Sequence, residues 1–403
     1  MTRTAVLAYS GGLDTSCAIA WLNEDYGFDT VVAVLVDVGQ GEDFGRAIFR
    51  GQAAGADDVL LVDRKEEFAQ DQVVKALLAN GLYEGRYPLV SALSRPVIAE
   101  AVAEVALDVG AEAVVHGCTG KGNDQLRFEL SFKAQYPGVT VIAPLRDRPR
   151  TRDEELVYAA ERGIPVEAKP ESPYSIDENL FGRAIEAGML EDPWVAPPEE
   201  AFALTSPAAE APPPVDVVIS FESGVPVSID DDELPLHELV QSLNELVGVY
   251  GIGRIDMIEN RAVGIKSREL YEAPAAVALI AAHQALEDFV LTKGELHAKR
   301  ELEPRWAKLV YDGLWFSPLR EAYDAFFAVT QEPVTGEVRL RLQAGAPVVT
   351  GRRSEHAIYA ESLASYGAGE TFPTEAAEGF VQVTALETDL LAARRVRTTR
   401  VPA

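Results

Sequence analysis

The stretch Thr4-Ala-Val-Leu-Ala-Tyr-Ser-Gly-Gly-Leu-Asp-Thr-Ser16 decides the fold. Thr4–Ala8 is a compact apolar run of strand length. Ser10–Ser16 then gathers small residues into a turn, and Cys17–Leu22 continues as a helix. Glycines let a backbone approach a polyanion, and a helix amino terminus presents unpaired N–H groups with partial positive charge. Ser10, Thr15 and Ser16 add hydroxyl donors. Strand, glycine turn and helix together predict a phosphate-binding loop. It is not a Walker loop, because G-x-x-x-x-G-K-[ST] is missing, and no G-x-G-x-x-G follows the first strand.

Outward from this loop the chain alternates. Thr30–Val36 is a second β-branched run, followed by Gly39–Gly41 and a helical stretch over Phe44–Ala54, and Asp58–Val62 is a third strand. Ser94 with Pro96 opens a helix whose apolar stripe is Val97, Ile98, Ala101, Val102 and Val105, with Gly110 beyond its end. Ala113–His116 is the next strand and Val139–Ala143 a further one. Strands alternating with helices predict an α/β fold, a doubly wound parallel sheet. Ligands of such sheets sit at the carboxyl ends of strands, so the two glycine-rich loops, 10–16 and 117–124, are expected to face one pocket.

Composition shifts after Ile164-Pro165, which puts a domain boundary near 165–172. Residues 193–214, rich in Pro, Glu and Ala, read as a long loop. Val215–Ser220, Val225–Ile229, Val338–Leu342 and Pro347–Thr350 read as strands, and Leu236–Val247 and Ala275–Thr292 as helices. Val381–Arg394 closes the pattern as a helix ending in basic residues. The expected division is 1–168, 169–370 and 371–403.

The 403 residues carry 36 Lys and Arg against 64 Asp and Glu, a net charge of −28. Such a chain repels polyanions, and no basic run offers a nucleic-acid patch. Two cysteines, Cys17 and Cys118, exclude a disulfide framework and favour a reducing compartment. No apolar run approaches the ~18 residues of a membrane span, and the amino terminus enters the glycine loop with no signal-type region. The expectation is a cytoplasmic protein without membrane or nucleic-acid partners. The five histidines show no metal spacing, and no metal-ligand set is expected.

The second loop, His116-Gly-Cys-Thr-Gly-Lys-Gly-Asn-Asp-Gln-Leu-Arg-Phe-Glu129, brings Thr119, Asn123, Asp124 and Arg127 together. Hydroxyl, amide, carboxylate and guanidinium groups are what an amino-acid zwitterion needs: donors for its carboxylate, acceptors for its ammonium.

Ser10-Gly-Gly-Leu-Asp-Thr15 resembles the pyrophosphate loop of the N-type ATP pyrophosphatases, and the second loop resembles the H-G-x-T-G-K-G-N-D-Q-x-R-F-E signature of the argininosuccinate synthase family. Further stretches resemble that family in order along nearly the whole chain. Among them are Asp37–Asp43, Tyr87-Pro-Leu, Ser94–Ala99, Glu161–Pro165, Tyr174–Asn179, Gly253–Arg261, Gly264–Glu272 and Tyr311–Pro318. The resemblance implies an AMP-forming carbon–nitrogen ligase of arginine biosynthesis that joins L-citrulline and L-aspartate through citrullyl-AMP. It implies ATP as substrate, Mg²⁺ carried mainly by phosphates and waters, and a homotetramer. The three segments would be a nucleotide-binding domain of the adenine nucleotide alpha hydrolase type, an α+β synthetase domain and an oligomerisation helix.

Position by position, the resemblance assigns ATP to Ala8, Tyr9, Ser10, Gly11, Gly12, Leu13, Asp14, Thr15, Ser16, Val36 and Gly117. It assigns aspartate to Thr119, Asn123 and Asp124, and citrulline to Tyr87, Asn123, Arg127, Ser175, Glu259 and Tyr271, with Ser91 beside them. The groups expected to carry the chemistry are Asp14, Ser10, Thr15, Asp124 and Arg127. Two departures stand out: Ala92 and Ala184 lie where the family often has hydroxyl residues of the citrulline site, and Ser91 or water would have to compensate. Cys118 replaces a residue that is commonly Ala. Rival readings are a tRNA-modifying pyrophosphatase, opposed by the net charge and the lack of a C-x-x-C, and an ATP-binding module without catalysis, opposed by Asp14, Lys121 and Arg127.

Overall fold

A computed structural model describes residues 2–41, 43–165, 174–365 and 372–399. Residues 1–356 make one compact unit and 357–403 another. The boundary expected near 165–172 falls almost wholly outside the described residues.

The first unit begins with β1 (Thr4–Ala8), α1 (Leu13–Glu24), β2 (Thr30–Asp37), α2 (Phe44–Ala53) and β3 (Asp58–Asp63). Two short turns, α3 (Lys65–Glu67) and α4 (Val74–Leu78), flank a π-helical stretch, Phe68–Val73. The long helix α5 (Val90–Asp108), β4 (Ala113–His116), α6 (Asp124–Gln135), β5 (Thr140–Ile142), α7 (Pro144–Asp147) and α8 (Arg152–Glu161) complete this part. All five strands are parallel, in the order β3-β2-β1-β4-β5. The apolar runs of the three central strands, β2, β1 and β4, are buried on both faces, as a parallel sheet between helical layers requires, while the edge strands β3 and β5 are partly exposed. The order reverses at β1, so the loops after β1 and β4 open side by side at the switch point.

Two antiparallel sheets follow. β6 (Ser175–Asn179), β7 (Gly182–Glu186), β11 (Arg254–Asn260) and β12 (Lys266–Glu272) form one, in the order β11-β12-β7-β6. β8 (Val215–Glu222), β9 (Val225–Ile229), β10 (Asp232–Glu233), β13 (Gly336–Gln343) and β14 (Ala346–Arg353) form the other, in the order β10-β9-β8-β13-β14. Around them lie α9 (Leu236–Gly248), α10 (Pro274–Val290), α11 (Lys293–Tyr311) and α12 (Pro318–Gln331). A buried ionic network binds this part to the first. Lys299 Nζ reaches Glu287 at 2.9 Å and Glu303 at 2.8 Å, and Asn80 Nδ2 donates to the same two carboxylates at 2.7 and 2.8 Å. The second unit holds α13 (Glu361–Ala364) and α14 (Thr374–Thr399).

The sequence reading needs three corrections. The helix expected to open at Ser94 begins at Val90, after Leu89 takes a left-handed conformation, so Pro96 lies inside α5 rather than at its start. A proline there removes one intrahelical donor, a loss that the packed helix tolerates. The strands β6, β7, β11 and β12 were not anticipated, nor were α11 and α12. The terminal helix runs from Thr374 to Thr399 instead of Val381 to Arg394. The 193–214 stretch is indeed irregular, interrupted by 3₁₀ turns at Glu199–Ala201 and Ala208–Glu210.

At the switch point the two loops touch. A Cβ on Gly117 would lie 2.6 Å from Thr15 Cγ2, closer than real side chains approach. Gly117→Ala should therefore force the loops apart and cost about 1–3 kcal/mol in denaturant unfolding, with nucleotide binding lost in the same variant; an unchanged midpoint together with unchanged binding would overturn this account of the contact.

Candidate functional site

The first loop is built to leave donors free. Gly12 occupies the N-cap of α1 and supplies no side-chain cap, so the helix mouth stays open to an anion. Gly11 takes φ 73°, which favours glycine. Ser10 Oγ and Thr15 Oγ1 lie 3.1 Å apart, and Ser10 Oγ also accepts the Gly12 amide at 3.4 Å. From below, the Tyr9 hydroxyl meets Ser16 Oγ at 3.0 Å and donates to the Ala47 carbonyl at 3.2 Å. Arg50 of α2 donates to the Gly11 carbonyl and, at 3.0 Å, to the Pro165 carbonyl. The loop is thus braced on α2 while its rim faces the cavity.

The second loop begins at His116, fully buried, whose Nδ1 accepts the Cys118 amide at 3.2 Å. Burial pushes this imidazole down to about 4, so it stays neutral. Asp124 opens α6, and its carboxylate is gripped by Arg95 of α5 at 2.9 and 2.7 Å and by Arg127 at 2.8 Å. Burial alone would raise this carboxyl; the two guanidinium groups outweigh it and hold it down at about 2. Arg95 also pairs with Asp177 of β6 at 2.8 Å.

Beyond the loops, β11 and β12 carry the far wall. Glu259 accepts hydrogen bonds from the Tyr271 hydroxyl at 2.7 Å and the Tyr311 hydroxyl at 2.6 Å. Burial raises its carboxyl, while the two phenols and Arg127 oppose the shift. Asn123 Nδ2 donates to the Tyr311 hydroxyl at 2.8 Å, and its Oδ1 accepts the Ala262 amide at 2.9 Å. Tyr87 stacks on Tyr271 with centroids 4.1 Å apart, and its hydroxyl accepts the Ser91 amide at 2.9 Å. Arg127 lies 5.0 Å from the Tyr311 ring and donates through Nε to the Tyr311 carbonyl at 3.0 Å. Among the described residues its buried Nη2 meets no hydrogen-bond acceptor. Arg261 ties Glu186 and Glu269 together, the second at 2.8 Å. Burial, then the charge of Glu186, pushes Glu269 up to about 8.

All of this surrounds one cavity of about 720 Å³. Ala8, Tyr9, Ser10, Gly12, Asp14, Thr15, Val36 and Gly117 line it on the parallel-sheet side. Tyr87, Ser91, Thr119, Asn123, Asp124, Arg127, Ser175, Glu259 and Tyr271 line the rest. Gly11, Leu13 and Ser16 belong to the loop but not to the lining: Leu13 packs into the core, and Ser16 is held by Tyr9 and the Gly12 carbonyl. Val36 gives its carbonyl to the Gln40 amide at 3.0 Å. Ala184 is part of the wall, whereas Ala92 is buried in the core behind it.

Sequence reasoning left Arg95, Asp177, Glu186, Arg261, Glu269 and Tyr311 without roles. The signal was present, because Arg95, Asp177, Arg261, Glu269 and Tyr311 all stand in the stretches that carry the resemblance. Cys118, whose thiol burial raises, and neutral His116 supply no activated nucleophile or base. Among the described residues no group of three His, Cys, Asp or Glu is placed to hold a metal ion. None of the described helices is long and apolar enough to cross a membrane.

A parallel sheet with a phosphate-type loop at its switch point and an amino-acid-type wall opposite defines a nucleotide-binding α/β enzyme. The model of the argininosuccinate synthase N-terminal HUP domain matches residues 4–165, and that of the argininosuccinate synthase C-terminal domain matches residues 174–391. Argininosuccinate synthases of Bacillus licheniformis and Bacillus subtilis are 52% and 51% identical to it over 387 residues, 96% of each chain. That of Gloeobacter violaceus is 49% identical over 391 residues, 97% of this chain and 98% of the relative. The chain belongs to the argininosuccinate synthase family and is a ligase of that type, which leaves the tRNA-modifying and non-catalytic readings without support.

The depressed Asp124 carboxyl contributes stability above its unfolded range that is lost as pH falls toward about 2. Asp124→Asn should lose about 2 kcal/mol or more at neutral pH and should fall less than the parent between pH 5 and pH 2. Parallel acid limbs in urea titrations of the two proteins would refute the clamp.

Proposed function

We propose that the cavity holds ATP against the first loop and joins L-citrulline to L-aspartate over it. The observation that carries this is the convergence of the open α1 mouth with Arg127 and Glu259 on one cavity. Ser10, Gly12, Asp14 and Thr15 would hold the triphosphate, with Ala8, Val36 and Gly117 beside the nucleoside. Arg127 would take the citrulline carboxylate, and Glu259, held by two phenols, its ammonium; Tyr87, Ser91, Ser175 and Tyr271 would close around the side chain. Thr119, Asn123 and Asp124 would receive aspartate. Asp124 is suited to an ammonium because it stays ionised, each oxygen keeping capacity beyond its Arg partners.

In the first step the citrulline ureido oxygen attacks the α phosphorus of ATP and pyrophosphate leaves, giving citrullyl-AMP. In the second the aspartate amine attacks the activated carbon and AMP departs, giving argininosuccinate. Loop donors stabilise charge at the phosphates, and the enclosed walls exclude the water that would hydrolyse the adenylate. Mg²⁺ would be held by phosphate oxygens and waters, supplying charge neutralisation, since the described residues offer no cage for it. The segments 1–168, 169–370 and 371–403 are read as nucleotide-binding, synthetase and oligomerisation parts of a cytoplasmic homotetramer. Exposed Phe380, Val383, Leu386 and Leu390 on α14 support the last of these.

Pyrophosphate release from Mg·ATP should require citrulline, and sustained formation of AMP and argininosuccinate should require aspartate as well; release indifferent to both amino acids would overturn the acceptor. Arg127→Ala should raise the citrulline KM by about tenfold or more, the loss of a charge-assisted hydrogen bond. An effect confined to the ATP KM would contradict its role.

A further inference from the structure

His116 ends β4 at the cavity, and the mechanism above gives it no part. It is fully buried, and its register partner is Ala8, the last residue of β1 before the first loop. Its ring lies between two unlike neighbours. On one side Nδ1 stands 3.2 Å from the Cys118 amide, which can only donate, so Nδ1 keeps its lone pair. On the other, Nε2 faces Glu129 Oε1 at 3.8 Å, an oxygen that can only accept while ionised. Both neighbours select one neutral tautomer, with the proton on Nε2. We propose that His116 is a positioning residue for the paired loops: its Nδ1 lone pair holds the Cys118 amide, which fixes the Gly117 turn against Thr15 and sets Thr119 toward the cavity. The proposal rests on the assignment of ATP and aspartate to these loops.

The surroundings hold the ring where the turn needs it. Phe128 of α6 stacks on it, with centroids 5.8 Å apart and planes 16° apart. Glu129 pairs with Arg146 of α7 and, at 3.4 Å, with Lys133 of α6, partners that favour its ionised form. Burial pushes the imidazole down to about 4; Glu129 and Asp124 of α6 and Asp147 of α7 oppose this, and Arg146 adds to it. The lone pair is therefore available throughout the neutral range. The turn that it braces has no slack, since a Cβ on Gly117 would lie 2.6 Å from Thr15 Cγ2. Thr15 Oγ1 in turn meets Ser10 Oγ at 3.1 Å. A shift of the Cys118 amide is thus passed to the first loop on one side and to Thr119 on the other. Glu259 and Tyr271, assigned to citrulline, hang from β11 and β12 and stand outside this chain of contacts.

The test compares the full-length parent with His116→Phe and His116→Asn. Phenylalanine keeps a ring to stack but has no lone pair, whereas asparagine puts an amide oxygen close to the Nδ1 position. In steady-state assays His116→Phe should raise the KM for ATP and for aspartate about tenfold, as expected when a buried amide loses its acceptor. The citrulline KM should stay unchanged, and His116→Asn should recover most of the loss. A merely structural role would lower the active fraction of both variants without separating the three KM values. Variants impaired alike, or a His116→Phe protein with parental KM values, would overturn the proposal. Nitrogen-15 spectra of the histidine-labelled parent read the tautomer without any assay, the His116 signals being those absent from His116→Asn. A bare Nδ1 and a protonated Nε2 are expected at pH 7, and a proton on Nδ1 would overturn the proposal. Failure of the parent to bind Mg·ATP would instead overturn the assignment of the loops.

Discussion

The Asp124 carboxylate, gripped between Arg95 and Arg127, is the constraint on which the rest of the site depends. Arg95 comes from α5, beneath the parallel sheet, and it also holds Asp177 of β6 in an antiparallel sheet. Arg127 carries the chain of contacts onward to Tyr311, and Tyr311 to Glu259 and Asn123. One carboxylate therefore sets the distance between the floor formed by the loops of the parallel sheet and the wall formed by β11 and β12. Removing one partner from such a buried arrangement costs far more than the pair contributes against an apolar replacement, because an uncompensated charge remains. That asymmetry makes the clamp a device for geometry more than for stability.

Much of the architecture was legible in the sequence because the parallel sheet is apolar on both faces. Val31–Val36 and Ala5–Ala8 are uninterrupted hydrophobic runs, and the glycine loop after β1 marks where the chain must approach an anion. β11 and β12 escaped for the opposite reason. One face carries Glu259, Glu269 and Tyr271 toward the cavity and the other buries Glu272, so the alternation that reveals a half-buried strand is replaced by polar residues serving the cavity and the core. The start of α5 escaped because Ser94 and Pro96 imitate a cap and a first-turn proline, while the true start needs a left-handed Leu89 that local propensity disfavours.

At the site, the loops and the resemblance named the residues that line the cavity, whereas the groups that hold them in place stayed silent. Arg95, Arg261 and Tyr311 act through contacts between segments far apart in the chain, and no local pattern reports such a contact. Glu155 is a residue whose burial the sequence hides. On the sequence it is one of three consecutive acidic residues opening a helix, and Asp153, Glu154 and Glu155 look like ordinary partners for a helix dipole. Only the packing of α8 on α1 separates it from its neighbours, for Glu154 completes a capping box with Thr151 while Glu155 turns inward.

The dispersal of the cavity lining along the chain has a consequence for biosynthesis. A growing chain has all five parallel strands once residue 142 has emerged, and can present the phosphate loop in a finished sheet. The opposite wall awaits Tyr311, nearly 170 residues later. During that interval the loops stand without their lid, so an adenylate formed there would meet water. The ligation proposed above therefore belongs to the finished chain, because its last wall is made in the last third of translation.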